Sequence, residues 1–163
     1  MFKFYAGFIL FFYCSSIYAQ PGPLKEIKWA WISGDDVENS SGDYGILEVK
    51  NKTNMPVARS FSCGWTAKDG NLWLFGGTHD KEKFFNDVWE YNPSLNVWVW
   101  VSGDKIPDQR GVYTTKGVSP FNKPGARRGA TSWTDASGNF WLFGGYGLDK
   151  DGKRGWLNDL WQY

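Results

Sequence analysis

The apolar residues of this chain fall in short stretches that polar turns separate. Phe61, Cys63 and Trp65 alternate with small or polar residues, which is the period-two pattern of a strand with one apolar face. Residues 69–70 are Asp-Gly and precede an Asn, which is a tight-turn signal. Residues 72–75 are apolar at every position, so we predict a strand that is covered on both faces.

Two more strands are predicted after a polar loop. Residues 88–91 read VWEY and residues 98–101 read WVWV, with the turn-forming sequence NPSLN at 92–96 between them. Four short antiparallel strands with apolar faces on both sides are typical of one blade of a β-propeller. Residues 29–32 match residues 98–101, and they are therefore predicted to form the fourth strand of a preceding blade.

The strand pattern occurs twice. Every block of a first copy, about residues 29–97, returns in the same order in a second copy, about residues 98–163. The matched blocks are WAWISGD and WVWVSGD, PVAR and PGAR, WTAKDGNLWLFGG and WTDASGNFWLFGG, and NDVWEY and NDLWQY. Ordered blocks with unequal loops between them indicate a duplicated structural unit. The second copy reaches Tyr163 before its own fourth strand, so we expect about one full blade and parts of two others.

A strand that ends in Gly-Gly, followed by a Tyr and then a Trp, resembles the kelch repeat. The long, Trp-rich unit resembles bacterial secreted kelch proteins that are similar to the galactose oxidase central domain. The resemblance covers about residues 29–163 and implies an all-β, kelch-type β-propeller of four-stranded antiparallel blades, incomplete in this chain. Propellers close with about four to eight blades, and the expected partners therefore include the remaining blades of a longer chain.

The residues that define the repeat are predicted to be structural. The Gly pairs permit positive φ and close backbone approach, and the Asn-Asp pairs are expected to return hydrogen bonds to nearby backbone. The two Arg side chains are expected to bind carbonyls or carboxylates near a strand start. The set is Arg59, Trp73, Gly76, Gly77, Asn86, Asp87, Trp89, Tyr91, Trp98, Arg127, Trp141, Gly144, Gly145, Asn158, Asp159, Trp161 and Tyr163.

Residues 1–19 have the order of a secretory signal peptide. Lys3 precedes an apolar run at 4–13, and the small Ala19 comes before Gln20. The run is shorter than the roughly 20 residues of a spanning helix. We therefore expect export, with residues 20–163 as the mature domain outside the cell or in a bacterial cell envelope, and no membrane span after signal removal.

Composition narrows the possible functions. The formal net charge of the chain is +1, and signal removal would take away one further basic residue, so no strongly basic face is expected and nucleic acid is an improbable partner. Signal removal would also leave Cys63 as the single Cys, which excludes a disulfide framework. Aromatic residues make up 19% of the chain, which favours short strands in a packed core.

Candidate chemistry is sparse. His79 is the single His, and a copper or zinc site usually takes two or three His or Cys ligands. The sequence DKDG at 149–152 lacks the later oxygen ligands of a calcium loop and favours a polar hairpin turn. No nucleophile has a spaced partner that would activate it. We therefore predict no catalytic residues, no metal and no cofactor within residues 20–163.

The leading hypothesis is a secreted or cell-surface module, binding or scaffold in role, that recognises protein or carbohydrate through its blade loops. Loops hold binding groups on rigid frames, and the unequal loops at 78–85 and 146–157 follow the repeated WLFGG. The candidate contacts are Thr78, His79, Asp80, Tyr146, Asp149 and Trp156. The alternative is part of a carbohydrate-active enzyme, such as a galactose oxidase-like oxidase or a sugar-acid isomerase, with catalytic residues beyond residue 163. A structural domain of a large adhesin is a third possibility.

Overall fold

The computed structural model describes residues 28–80 and 82–163, and the predicted signal segment lies outside these residues. Ile32–Tyr163 forms one compact unit. Its strands are β1 (Cys63–Thr66), β2 (Leu72–Phe75), β3 (Thr78–His79), β4 (Lys83–Phe84), β5 (Val88–Asn92), β6 (Val97–Ser102), β7 (Arg127–Arg128), β8 (Thr131–Thr134), β9 (Phe140–Phe143), β10 (Tyr146–Leu148), β11 (Arg154–Trp156) and β12 (Leu160–Gln162). In the part of the chain that the structure describes, no helix is long and apolar enough to cross a membrane.

The first copy of the repeat forms a four-stranded antiparallel blade. Its strand order is β1-β2-β5-β6, so each strand pairs with the strand that follows it in the blade. Cys63 pairs with Phe75, and Phe75 pairs with Val88, which brings these three apolar side chains to one face. This architecture confirms the predicted all-β, four-stranded blade.

The second copy forms the first three strands of a matching blade. Its strand order is β8-β9-β12, also antiparallel. Thr131, Phe143 and Leu160 pair across this sheet as Cys63, Phe75 and Val88 do in the first blade. No described residue supplies a fourth strand to this sheet, as the sequence predicts.

The two blades pack face to face. Leu142 of the second blade lies against the Cys63, Phe75 and Val88 face of the first blade, in one buried cluster. The Phe140 ring stacks on Trp65 with the ring centroids 5.4 Å apart. Large aromatic pairs of this kind dominate core energetics. The interface therefore buries the apolar face that the period-two pattern predicts for β1.

The equivalent face of the second blade is open. Phe143 is 45% exposed, whereas its counterpart Phe75 is 3% exposed. Trp133 and Leu160 on the same face are also exposed. One sequence pattern thus gives a covered face in the first blade and an uncovered one in the second, because burial depends on the neighbouring blade as well as on the strand itself.

Two predicted elements differ from the structure. Residues 29–32 contain no strand, and Trp29 is fully exposed, so the predicted incoming strand at 29–32 is wrong. The outer edge of β6 has short contacts with residues that precede β1: Asn51 forms a β-bridge with Trp98 and the amide of Glu48 donates to the carbonyl of Trp100. The β1 strand begins at Cys63, so Phe61 lies outside the strand that its alternation predicts.

The two polar loops of the repeat are ordered hairpins. β3 and β4 pair across the first loop, and β10 pairs with both β11 and β7 in the second. The hairpins lie side by side, because Phe84 packs with Ala126 and Leu148 in a second small core. The described residues of the two predicted binding loops therefore lie next to each other.

Candidate functional site

In the first blade, the buried guanidinium group of Arg59 forms several hydrogen bonds with the protein. Arg59 donates to both carboxylate oxygens of Asp87, at 2.5 and 2.7 Å, and to the carbonyls of Val57 and Gly76. The Tyr44 hydroxyl and the Trp89 indole N–H donate to the same carboxylate, at 2.6 and 2.7 Å. A buried ion pair is stable when such additional hydrogen bonds satisfy its remaining polar atoms. This arrangement is called the blade cluster below.

The second blade repeats the blade cluster atom for atom. Arg127 donates to both oxygens of Asp159, at 2.5 and 2.7 Å, and to the carbonyls of Gly125 and Gly144. Tyr113 and Trp161 donate to Asp159 at 2.6 and 2.7 Å. Duplication of every contact indicates that this cluster belongs to the scaffold.

Ionisation in the blade clusters follows from burial and pairing. Burial opposes the ionised carboxylate of Asp159, but the hydrogen bonds and charge of Arg127 outweigh it and hold the pKa of that carboxyl below its usual range. Burial, followed by the hydrogen bond to Asp159, raises the pKa of Tyr113 to about 12. The pKa of Tyr44 is raised for the same reasons, with Asp87 as its partner. Both tyrosines therefore act as neutral donors at neutral pH.

Asn86 and Asp87 bind different groups, and the sequence did not predict this difference. Asn86 accepts from the backbone amide of Asp104 and donates to the Asp104 carboxylate and the Pro124 carbonyl. Asp87, in contrast, accepts from side chains rather than from nearby backbone, so the expectation of local backbone capping is wrong for Asp87. The tertiary partners Tyr44 and Arg59 come from distant positions in the chain that local turn chemistry does not reveal.

The Gly pairs have the predicted conformation. Gly76 has φ of 63° and Gly77 has φ of 96°. A side chain at Gly77 would lie 2.7 Å from the carbonyl of Ser60, which is too close for a carbon atom. The pair thus lets the hairpin β3–β4 approach the segment that leads into β1.

Several of the predicted contact residues are occupied with structural interactions. Thr78 is buried, and its hydroxyl donates to the carbonyl of Lys83. Nδ1 of His79 lies 2.9 Å from the carbonyl of Ala58, and Nε2 lies 3.0 Å from the exposed carboxylate of Asp80. Asp149 accepts from two backbone amides of its own hairpin turn. These four residues sit on the hairpins, but their contacts are with the protein itself.

A row of three side chains crosses the sheet β7–β10–β11. Arg128 pairs with Tyr146, and Tyr146 pairs with Trp156, so the three side chains share one face. The Tyr146 and Trp156 rings meet edge to face with centroids 5.2 Å apart, and Trp156 is 85% exposed. The row leads from a half-buried cation to a solvent-exposed indole.

Three aromatic rings surround the Arg128 guanidinium. Its central carbon lies 5.5 Å from the Phe84 centroid and 5.8 Å from the centroids of Phe61 and Tyr146, within the range of cation–π attraction. Phe84 also packs edge to face on Tyr146. Phe61, Phe84, Arg128, Tyr146 and Trp156 are together called the Arg128 cluster.

Arg128 differs from the other half-buried or buried arginines in its hydrogen bonding. Arg59 and Arg127 bind carboxylates, and no described residue accepts a hydrogen bond or ion pair from the Arg128 side chain. The neighbouring Arg154 packs on Phe84 and donates to Asp108 at 3.0 Å and to the carbonyl of Glu82 at 2.7 Å. A guanidinium has N–H donors on a rigid fork and no acceptor, so Arg128 presents unused donors beside an aromatic wall.

Phe61 has an unfavourable backbone conformation. Its φ is 56°, and its counterpart in the second copy is Gly129 with φ of 62°. The left-handed region costs a non-glycine residue about 1–2 kcal/mol, and Phe61 is 66% exposed, so it gains little by burial. Strain of this kind is concentrated at functional sites.

The contact residues predicted from the sequence include two members of this cluster, Tyr146 and Trp156, and do not include Phe61, Phe84 and Arg128. A signal was present in the comparison of PVARSFS with PGARRGA. When these two blocks are aligned, Ser60 corresponds to Arg128 and Phe61 corresponds to Gly129. Differences between copies at positions next to an invariant Arg mark where the repeat departs from its scaffold.

The comparisons with known proteins identify the repeat. Residues 56–105 match the family model described as the kelch motif, and this range contains all four strands of the first blade. These residues are a kelch repeat. The chain therefore carries kelch-type blades, as its resemblance to the kelch repeat implied.

Two curated proteins resemble part of the chain. The N-acetylneuraminate epimerases of Haemophilus influenzae strains PittEE and 86-028NP are each 37% identical to it over 76 residues. The matched region is 43% of this kelch chain and 17% of each epimerase, so the chain corresponds to a small part of those relatives. A solved structure, "Structure of YjhT", matches 59% of the chain and 23% of its own at 23% identity with a TM-score of 0.42.

Proposed function

We propose that this kelch chain recognises carbohydrate, and that the Arg128 cluster is the recognition surface. The observation that carries the proposal is the row of Arg128, Tyr146 and Trp156 across one sheet, with aromatic rings around a guanidinium that has no acceptor among the described residues. Trp and Tyr combine a large apolar face with a polar group, which suits the mixed apolar and hydroxyl faces of a sugar. Binding sites typically place a few polar groups on aromatic walls.

The relatives support a sugar over a protein ligand. The two curated proteins are named for an enzyme that acts on an amino sugar. The chain lines up with a small part of them, so their activity as whole proteins comes here only as a proposal. The export predicted from residues 1–19 would put the Arg128 cluster outside the cytoplasm, where a free or polymeric glycan is accessible.

A second candidate function is a sugar-acid isomerase or epimerase. The relatives' names favour it, and the notion that catalytic residues lie elsewhere in a longer chain is compatible with the small matched share. Within the described residues, no group of three His, Cys, Asp or Glu side chains is arranged as a metal site. In this candidate, the Arg128 cluster would bind the sugar, and residues elsewhere in a longer chain would perform the reaction.

The experiment is saccharide binding by the purified chain, measured by calorimetry and by tryptophan fluorescence. Trp156→Ala should reduce saccharide affinity, since it removes the exposed ring. Phe121→Ala is the matched control, because Phe121 is also an exposed aromatic residue but lies in another loop, after β6. Equal binding by wild type and Trp156→Ala would contradict the proposal, as would wild-type binding to proteins but to no saccharide. Epimer formation by a longer protein that contains this chain, but not by the purified chain, would support the second candidate.

A further inference from the structure

We infer that Arg128 is the anion-binding residue of the Arg128 cluster and that it takes the carboxylate of an acidic sugar. The inference rests on the proposed carbohydrate function and assigns the charge of the ligand and the residue that binds it. It is carried by two independent observations, the unused donors of Arg128 and the strained conformation of Phe61.

The hydrogen-bonding contrast within the chain supports an external acceptor. Desolvating a charged group is unfavourable unless the group is paired. Arg59 and Arg127 reach carboxylates and Arg154 reaches Asp108, whereas Arg128 is half-buried among rings with no acceptor in the described chain. A ligand carboxylate would supply the pair that the protein does not, and the planar guanidinium fork matches a carboxylate bidentately.

The backbone conformation of Phe61 is the second observation that supports an anion site at Arg128. The backbone at this position needs positive φ in both copies, and the second copy uses glycine. In the first copy the chain instead holds an exposed phenylalanine whose ring lies 5.8 Å from the Arg128 guanidinium carbon. Neither backbone preference nor burial favours phenylalanine at position 61. A role beside Arg128 does favour it, because an aromatic ring lowers the local dielectric constant and so strengthens the attraction of the guanidinium for an anion.

The charge balance favours a carboxylate over a phosphate. Arg128 offers one positive charge, and the nearby Arg154 is already paired with Asp108. A carboxylate monoanion matches one guanidinium, whereas a phosphate monoester carries about −1.5 to −2 charges at neutral pH. The edge of Tyr146 and the exposed face of Trp156 continue the row and would contact the sugar ring next to its carboxylate.

The test uses ligand pairs that differ in charge, with the purified full chain and calorimetry. N-acetylneuraminate is compared with its methyl ester, and glucuronate with glucose and glucose 6-phosphate. The acids should bind more tightly than their neutral partners. Arg128→Ser, which installs the residue of the first copy, should lower affinity for the acid by at least about tenfold, the usual worth of a charged hydrogen bond, and leave the neutral partner unchanged.

Three further variants separate a binding role from a structural one. Arg128→Lys keeps the charge but loses the fork, so part of the acid preference should remain. Phe61→Gly should weaken acid binding by several-fold without lowering the melting temperature. Lys52→Ser removes an exposed cation from the turn that pairs with the far edge strand β6, and it should change nothing.

The outcomes distinguish this inference from the proposed function. Saccharide binding with no preference for acids, or with full affinity in Arg128→Ser, overturns the inference and leaves carbohydrate recognition standing. Tighter binding of glucose 6-phosphate than of glucuronate overturns the choice of carboxylate. Absence of binding to every saccharide overturns both.

Discussion

The blade clusters and the Arg128 cluster use the same side chain in opposite ways. In each blade cluster an arginine binds a carboxylate and backbone carbonyls, and every hydrogen bond of the first cluster recurs in the second. Arg128 directly follows Arg127 in sequence, yet it has aromatic neighbours, no acceptor in the described chain and no arginine counterpart in the first copy. Contacts that recur in both copies stabilise the blade, and a position that differs between copies is free to acquire a role of its own.

The largest effect is expected from removing a carboxylate of a blade cluster. Asp87→Ala leaves the Arg59 guanidinium, whose side chain is 4% exposed, without its partner. Breaking a buried pair in this way typically costs about 3–5 kcal/mol. Urea unfolding followed by tryptophan fluorescence should show this loss, whereas Arg128→Ser should change the free energy of unfolding by less than about 1 kcal/mol. Similar losses in the two variants would mean that Arg128 is also part of the scaffold.

A second comparison uses Phe75 and Phe143, which occupy equivalent positions in the first and second blades. Phe75→Ala empties a site that the second blade covers, and a buried Phe→Ala change costs about 3–5 kcal/mol. Phe143→Ala changes the exposed counterpart and should cost less than about 1 kcal/mol in the chain alone. If the two variants unfold at the same urea concentration, another part of the protein covers the Phe143 face in solution.

The tyrosines of the blade clusters predict a loss of stability in alkali. The unfolded chain ionises Tyr113 near its ordinary pKa of 10.0, and the folded chain does so only near about 12. The pKa is raised on folding, so this contribution to stability is fully present below pH 10.0 and is lost as the pH rises toward about 12. Tyr113→Phe should therefore make the fall in unfolding free energy over this range shallower. An unchanged slope would show that the hydroxyl of Tyr113 does not bind the ionised Asp159 in solution.

A smaller effect is expected from the pair Phe61 and Gly129. Gly129→Ala adds a methyl group into open space at φ of 62°, so it should lower stability by about 1 kcal/mol through backbone strain alone. Phe61→Gly removes the same strain and should leave the free energy of unfolding equal or higher by up to about 1 kcal/mol. Clear destabilisation by Phe61→Gly would show that the Phe61 ring contributes to packing.

The sequence predicted the parts of the fold that recur. The strands, the Gly pairs and the reach of Arg59 and Arg127 toward carboxylates or carbonyls are visible because each appears twice at matched positions. The polar hairpin turn at 149–152 was predicted and is confirmed, because β10 and β11 pair around it, whereas the β3–β4 hairpin was not predicted, since the two loops share neither length nor pattern. The roles of Phe84 and Tyr44 were not predicted, because they depend on contacts between segments that are far apart in the chain. The exposure of Phe143 was not predicted either, because it depends on whether another blade packs on that face, and the local sequence pattern does not contain this information.

The most direct test of the contrast between shared and unshared positions makes the two copies alike. The double variant Phe61→Gly with Arg128→Ser gives each position the residue of the other copy and leaves both blade clusters intact. Calorimetric titration with N-acetylneuraminate and its methyl ester should show that the double variant has lost the preference for the acid, while its melting temperature equals or exceeds that of wild type. Retention of the full acid preference in a folded double variant would contradict the account.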